Sequence, residues 1–332
     1  MNTQTACSTF VATLGAALGL ASTIAVAGKA VPIDACANVA PADFPAFVYY
    51  LQASGNKPRT MYLADTTGKC SRLLMAGAAP KLSYPVDGVA NKGRVVFKDG
   101  SYLAKIDFIV GAGNTITVGE KKWLRENMGC CSLDLSKDGQ TVYFSDTNTS
   151  LATLVIGSGS VNQIYALPPS DMSWFFQQVS VNGDGTQLYA TKTGDQLNSG
   201  ASKLVRIDLT TTPATEIILR EWPQQTGYGA HAFSPAANQY DDRVAFNEYI
   251  LNSNNCTPLV VADGNGSPIL PASGASARYG KFGTWVGDNV VMERRGPMDG
   301  SGKCASTTSL SQVYPGTNAE TVLITGYQPN GL

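Results

Sequence analysis

Few residues in this 332-residue chain have the types and spacing that enzyme chemistry needs. The sequence holds a single histidine, His231, which excludes zinc, copper or manganese sites built from several histidines. It contains no C-x-x-C-H haem attachment, no G-x-S-x-G nucleophile elbow, no P-loop and no G-x-G-x-x-G opening a helix. As a general base, His231 would need a partner carboxylate that the sequence does not identify, so we predict no catalytic residue.

Cysteine is the second reactive residue type in the sequence. Loss of an N-terminal segment that includes Cys7 would leave six cysteines, and an even number behind an export signal predicts disulfides. Their positions favour a bridge from Cys36 to Cys70, which would hold the N-terminal arm. They also favour a bridge from Cys256 to Cys304, because both lie in equivalent loops.

The adjacent Cys130 and Cys131 leave several chemistries open. Three outcomes are open: a strained disulfide ring between the two residues, two separate disulfide bridges to other cysteines, or free thiols that bind a soft metal such as Cu(I). A divalent cation held in the channel by carboxylates such as Glu126, Asp171 and Glu248 is a further alternative, with Asp87 and Asp134 as the acids of the predicted inner strands. Calcium at acidic turns is another. We predict no cofactor, and a bound calcium or copper ion stays an open alternative.

Aromatic and charged side chains are concentrated in four segments, 119–131, 168–177, 221–232 and 275–283. Aromatic rings with polar edges suit saccharides or the anchor residues of a partner protein, whereas a tryptophan that fills space between sheets is the structural alternative. The predicted ligand-binding residues in these segments are Trp123, Arg125, Glu126, Cys130, Cys131, Trp174, Trp222, Tyr228, His231, Arg278 and Tyr279.

The elements that must position these residues repeat along the chain. A short apolar strand recurs at intervals of 47, 47, 46, 56 and 46 residues, beginning at Val48, Val95, Val142, Leu188, Val244 and Val290. Each is followed by two further strand-like runs rich in Val, Ile, Leu, Thr and Tyr. Before five of the six apolar strands lies another strand-like run, for example "YPVDGV" or "SLDLS". A polar turn such as Asp138-Gly139 or Asp184-Gly185 then connects this run to the apolar strand.

A four-stranded unit repeated about every 40–50 residues is typical of a β-propeller. The sequence therefore predicts an all-β fold, a six-bladed propeller of four-stranded blades over residues 46–332. The first unit has no inner strand before it, while the chain ends in "GYQPNGL", which imitates the polar turn. We expect this C-terminal strand to complete the first blade and close the ring. The four segments rich in aromatic residues are then links between blades, on one face around the central channel.

The repeats also resemble a known group of proteins. The stretches "LSKDGQTVYFSD" and "VNGDGTQLYAT", each followed by a strand like "LVRID", resemble the TolB-type (WD-like) propeller repeats of exported bacterial proteins. The resemblance covers about residues 44–332 and implies a propeller that binds proteins or other ligands, with some enzymes among its relatives. TolB has an additional N-terminal domain, for which we expect no room here, so its role in envelope assembly is not carried over.

The N-terminus has the features of an export signal. Residues 10–27 are apolar and uncharged and end in Ala-Val-Ala, a small-residue cleavage pattern, although a retained membrane anchor is the alternative. We predict a signal peptide over residues 1–27, an arm over 28–45, and no membrane span in the mature chain. The location would be the periplasm, the cell surface or the medium. A net charge of −1 without a basic block argues against nucleic-acid binding.

Three functions remain open at this point. The first is an exported binding or scaffold propeller whose aromatic loop face holds a protein or saccharide ligand. The second is an enzyme that processes a carbohydrate or lactone with a divalent cation bound in the channel. The third is a subunit of a surface filament or envelope assembly, in which the arm reaches a neighbouring copy.

Overall fold

The structure is a computed structural model that describes residues 36–52, 59–126, 133–194, 201–222, 231–249, 257–270, 278–299 and 304–325. Within these ranges the chain forms 24 β-strands and four short 3₁₀ turns, and it forms no α-helix. The predicted all-β class is therefore confirmed. In this part of the chain, none of the helical segments has the length and apolar character needed to cross a membrane.

The strands form consecutive antiparallel sheets in chain order. The first sheet contains β1 (Phe47–Gln52), β2 (Arg59–Ala64) and β3 (Ser71–Ala76). The second contains β4 (Ala78–Ser83), β5 (Lys92–Asp99), β6 (Tyr102–Val110), β7 (Ile116–Val118) and β8 (Lys122–Arg125). The third contains β9 (Leu133–Leu135), β10 (Thr141–Thr147), β11 (Ser150–Val155) and β12 (Val161–Ala166).

The remaining strands continue this order. The fourth sheet contains β13 (Trp174–Val181), β14 (Gln187–Gly194), β15 (Ser202–Asp208) and β16 (Thr215–Trp222). An eight-stranded sheet follows, in which β19 also pairs with β21. Its strands are β17 (His231–Ala237), β18 (Val244–Tyr249), β19 (Pro258–Ala262), β20 (Pro268–Leu270), β21 (Arg278–Val286), β22 (Asn289–Met298), β23 (Cys304–Tyr314) and β24 (Ala319–Thr325).

The sheets are arranged like the blades of a propeller. The strands β4, β9, β13, β17 and β21 lie side by side in that order, and β1 lies beside β4. Because each sheet extends outward from one of these strands, the sheets surround a common axis. The repeated apolar strands predicted from the sequence are all present, for instance with Val142 in β10 and Val290 in β22.

The core lies between neighbouring sheets, because each sheet is buried on both faces. Along β5, Val95 and Phe97 pack with the first sheet, whereas Val96 between them packs with the third. This alternation follows from the period of two in a strand. All three side chains are fully buried, and burial of one such side chain contributes about 1.5–3 kcal/mol.

The turns show where the sequence predicted the backbone well and where it did not. Gly139 and Gly185 have φ values of 70° and 74°, and Asp138 accepts the backbone N–H of Gln140 at 3.0 Å, as expected for these turns. The prediction that "YPVDGV" forms an inner strand was wrong. The inner strand of the second sheet is β4, which ends at Ser83, before this stretch. The stretch itself forms a turn that contains Asp87 at φ 57°, a conformation that interrupts a strand.

The N-terminal arm is fixed to the first and second sheets. The predicted disulfide between Cys36 and Cys70 is present and fully buried. The Asn114 side-chain amide donates to the carbonyl oxygens of Cys36 and Val39, both at 2.8 Å. Cys304 is also disulfide-bonded. The predicted partner Cys256, and Cys130 and Cys131, lie outside the described residues.

Candidate functional site

A cavity of about 1010 Å³ lies on the axis of the sheets. Its walls come from β4, β9, β13, β17 and β21, from the turns that follow most of these strands, and from residues 37–46 of the arm. We call this end of the axis the turn face. The opposite end, where the links between sheets lie, is the link face. The cavity is therefore at the end of the axis opposite to the one where the sequence predicted the binding site.

Asp134 on β9 is the centre of a buried hydrogen-bond belt around this cavity. Its Oδ2 accepts the Ser180 hydroxyl at 2.5 Å and the Val181 backbone N–H at 2.9 Å, both from β13. Its Oδ1 accepts the backbone N–H of Leu135 at 2.9 Å and lies 3.7 Å from the Lys81 ammonium on β4. Asp134 therefore connects three sheets, and its carboxylate is well supplied with donors.

The belt continues around the axis from β13 to β21. The backbone N–H of Ala237 on β17 donates to Ser180 Oγ at 2.9 Å. The indole N–H of Trp285 on β21 then donates to the Ala236 carbonyl at 2.7 Å, and the Arg243 guanidinium lies 5.1 Å from the Trp285 ring. These contacts fix the position of each strand at the cavity wall, so the cavity is preorganised.

The charged side chains on the cavity wall are Lys81, Asp134 and Lys137. Lys137 lies 4.4 Å above the ring of Tyr240, which is 70% exposed at the mouth. The Ser83 hydroxyl donates to the carbonyl oxygen of Lys137 and so attaches the β9–β10 turn to β4. The wall thus combines an exposed aromatic ring, two ammonium groups and apolar alanine and proline surface, which can hold a ligand of mixed polarity.

A charged cluster supports the rim beside β4. Arg94 is 4% exposed and its guanidinium contacts the Asp107 carboxylate at 2.7 and 3.0 Å and the Gly139 carbonyl at 2.7 Å. Burial alone would raise the pKa of Asp107, but hydrogen bonds from Arg94 and Lys105 outweigh it and lower that pKa to about 2. A hydrogen bond from Lys92 lowers the pKa of Asp87 in the same cluster. These groups hold the second sheet against the third.

The three predicted tryptophans of the links lie in different surroundings. Trp123 is 52% exposed on β8, which continues the outer edge of the second sheet where a link was expected. Trp174 begins β13, is half-buried, and has the Lys203 ammonium 4.4 Å from its ring. Trp222 is 6% exposed, and its indole N–H donates to Glu248 Oε1 at 2.6 Å. The surroundings of Trp222 correspond to the alternative in which a tryptophan fills space between sheets.

The other predicted residues are also distributed over several sheets. Arg125 binds Asp146 at 2.6 Å, and Glu126 is exposed at the end of β8. Arg278 and Tyr279 begin β21, where they pair with β19. His231 begins β17, and the structure describes only its backbone. Three further predicted residues, Cys130, Cys131 and Tyr228, lie outside the described residues.

The carboxylates considered for a divalent cation are not gathered at one point. Asp171 lies 3.3 Å from the Lys192 ammonium, and Glu248 binds Arg220 at 3.1 Å in a different sheet. Among the residues that the structure describes, no three His, Cys, Asp or Glu side chains form a group that could hold a metal ion.

Of the side chains at the cavity described above, the sequence indicated only Asp134, as an acid on a predicted inner strand. Lys81 and Trp285 lie on inner strands, and nothing in their local sequence separates them from other strand residues. A partial signal exists for Asp134, because a charged residue stands at a buried position of the short strand "LDL". A carboxylate at such a position needs donors from other strands, and such donors are typical of a structural or binding site.

Comparisons with known proteins agree with this architecture. No family model matches the sequence, and no curated protein matches it. The solved structure of TolB from Acinetobacter baumannii is similar, with a TM-score of 0.53 and 16% identity over 85% of this chain and 64% of that chain. The chain thus spans less than two thirds of the length of that TolB.

Two other solved structures align at lower scores. An oligogalacturonate lyase in complex with manganese has a TM-score of 0.45 and 14% identity over 84% of this chain and 73% of that one. Regucalcin from Agrobacterium tumefaciens, described as a calcium-binding protein, has a TM-score of 0.41 and 11% identity over 74% of each chain. The similarity to TolB, together with the radial order of the sheets, establishes that this chain has a TolB-like β-propeller fold.

Proposed function

We propose that this chain is an exported β-propeller binding or scaffold protein that holds a protein segment or a saccharide in its central cavity. The observation that carries the proposal is the cavity itself, with a volume of about 1010 Å³ on the turn face. Its size is comparable to that of ligand pockets, which are typically about 300–1,000 Å³. The belt through Asp134 and Ser180 supports a fixed shape, and this role needs no cofactor.

The proposal includes six blades and closure of the ring by the C-terminal strand. Apolar residues of the first sheet, such as Phe47 and Tyr49, share one cluster with Val291 and Leu310 of the last strands, and β1 also lies beside β21. These contacts support a ring that returns to its start. The first sheet has three strands within the described residues, so the segment after Thr325 is the proposed fourth.

Export is supported by the oxidised cysteines. A buried Cys36–Cys70 disulfide and a second disulfide at Cys304 are typical of proteins that fold in an oxidising compartment. Cleavage after Ala27 would place the mature start at Gly28, nine residues before the arm enters the cavity wall at Ala37.

A blocked cavity tests the binding role. Ala42 is exposed on the arm and lines the cavity, so Ala42→Trp should fill the mouth without disturbing the core. Ala319→Trp is the matched control, because Ala319 is exposed on β24 and away from the cavity lining. We would screen wild type against an oligosaccharide array and a peptide array, and measure each hit by calorimetry with both variants.

The proposal predicts at least one ligand whose affinity decreases tenfold or more in Ala42→Trp and is unchanged in Ala319→Trp. Full affinity of every ligand for Ala42→Trp, with a normal melting temperature, would contradict a binding site in the cavity.

A further inference from the structure

An exposed pair of aromatic rings lies on the link face, away from the cavity. Trp123 on β8 and Tyr102 at the start of β6 are 52% and 36% exposed. Their ring centroids are 4.8 Å apart and their planes are tilted by 57°. Because β8 pairs with β6, with Trp123 opposite Ala104, the backbone holds both rings at the edge of the second sheet.

Two charged side chains fix this pair and supply polar groups beside it. The Lys121 ammonium lies 4.3 Å from the centroid of the Trp123 ring, a cation–π contact. The same ammonium binds the Asp99 carboxylate at 2.8 Å, and Asp99 is the last residue of β5, opposite Tyr102. Lys121 covers one face of the indole and holds the ring in place. A rigid aromatic surface loses little entropy when a ligand binds.

The exposure of Trp123 differs from that of the other tryptophans. The Trp222 ring is buried and its N–H donates to Glu248, so that side chain is part of the core. The Trp123 ring leaves apolar surface in water. Among the contacts of the described residues, its indole N–H has no hydrogen-bond partner, so it can donate to a ligand.

We propose that Trp123 and Tyr102 form a saccharide-binding site on the link face, with Asp99 and Lys121 as hydrogen-bonding partners of the sugar hydroxyls. The apolar C–H face of a pyranose ring matches a flat aromatic ring, and its equatorial hydroxyls match polar groups at the edge of that ring. A stable protein interface covers about 800 Å² per partner, far more than two rings. The proposal rests on the proposed binding role but names a second site, separate from the cavity.

Calorimetry with cello-, chito- and malto-hexaose tests this site in the full chain. At least one of the three should bind wild type, and Trp123→Ala should weaken that binding tenfold or more. Tyr102→Ala should weaken it about threefold to tenfold, whereas Tyr102→Phe should keep most of the affinity. Met172→Ala is the matched control, because Met172 is likewise an exposed apolar residue, at 54%, and should have no effect.

The outcomes separate this site from the cavity. Binding that survives Ala42→Trp but not Trp123→Ala supports the saccharide site whether or not the cavity binds a ligand. Binding that is lost in Ala42→Trp and kept in Trp123→Ala overturns it and supports the cavity alone. No binding of any of the three hexaoses at millimolar concentration also overturns it. Equal melting temperatures of the variants exclude misfolding as the cause.

Discussion

The two ends of the propeller axis organise their polar side chains in different ways. At the turn face, Asp134 and Ser180 join three successive sheets around the cavity, and Trp285 joins β21 to β17 within the last of them. Other charges are neutralised in local clusters, both beside Arg94 at the rim of the cavity and toward the link face. Lys192, which is fully buried, binds Asp171 at 3.3 Å and Glu216 at 2.5 Å.

The comparison shows how one fold separates two tasks. A belt shared by several inner strands fixes the wall of the cavity, because β9, β13 and β17 are each tied to both neighbouring inner strands. A local charge cluster fixes one contact between blades and leaves the surrounding surface open, as at Trp123. The belt and the clusters should therefore respond differently to mutation, pH and ligands.

The largest expected effect concerns the arm that forms one wall of the cavity. The double variant Cys36→Ser with Cys70→Ser removes a bridge of sequence separation 34, and the loop-entropy relation gives a loss of about 3–4 kcal/mol in unfolding free energy. Urea denaturation under oxidising conditions measures it, with reduced wild type as a comparison. A loss below about 1 kcal/mol would mean that the arm contributes little to the fold.

Removal of the belt carboxylate should have the next largest effect. Asp134→Ala leaves the Ser180 hydroxyl and the Val181 N–H buried without their acceptor, which costs about 3 kcal/mol in total. Asp138→Ala is the control, because its carboxylate serves only an exposed turn. Equal unfolding free energies for the two variants would contradict the role of the belt.

Removal of the cation from a local cluster should lower the unfolding free energy by a smaller amount. This loss should add to the loss caused by Asp134→Ala. Lys192→Met leaves Asp171 and Glu216 without their shared cation, and we expect a loss of about 2 kcal/mol, since Asp171 is partly exposed. Because the cluster and the belt share no partner in the described contacts, the double variant with Asp134→Ala should be additive within about 0.5 kcal/mol. A larger coupling energy would show that the two ends are not independent.

The smallest expected effect depends on pH. The pKa of Asp107 is lowered from 3.8 to about 2, so its ionised form stabilises the fold above pH 4, and this contribution is lost as the pH falls toward 2. We expect about 1–2 kcal/mol, because the side chain is partly exposed. Asp107→Asn should remove this part of the acid dependence of unfolding. An unchanged pH profile in that variant would contradict the prediction.

Local sequence signals predicted much of the fold. The recurring apolar strands, the Asp-Gly turns and the Cys36–Cys70 bridge each depend on a few neighbouring residues or on their place in the repeat. The turn around Asp87 was misplaced, because Val86 and Val89 resemble strand residues although a Pro precedes them. Strand β8 was missed, because its charged and aromatic residues are equally typical of a link.

The full set of residues around the cavity could not be predicted from such local signals. Lys81 and Ser180 are 99 positions apart in the sequence, and Ser180 and Trp285 are 105 positions apart. Only the arrangement of the sheets around one axis brings these three residues to the same cavity. Exposure of Trp123 and burial of Trp222 likewise depend on which strand covers each ring. Tertiary placement, rather than residue type, decides which tryptophan can meet a ligand.

The most direct test of the account is hydrogen–deuterium exchange with each ligand that the two arrays identify. If the cavity is the binding site, at least one ligand should slow exchange in residues 36–46, 78–91, 236–240 and 283–287, which form the turn face. Protection confined to residues 122–126 and 169–174 for every ligand would place all binding on the link face and contradict the central claim.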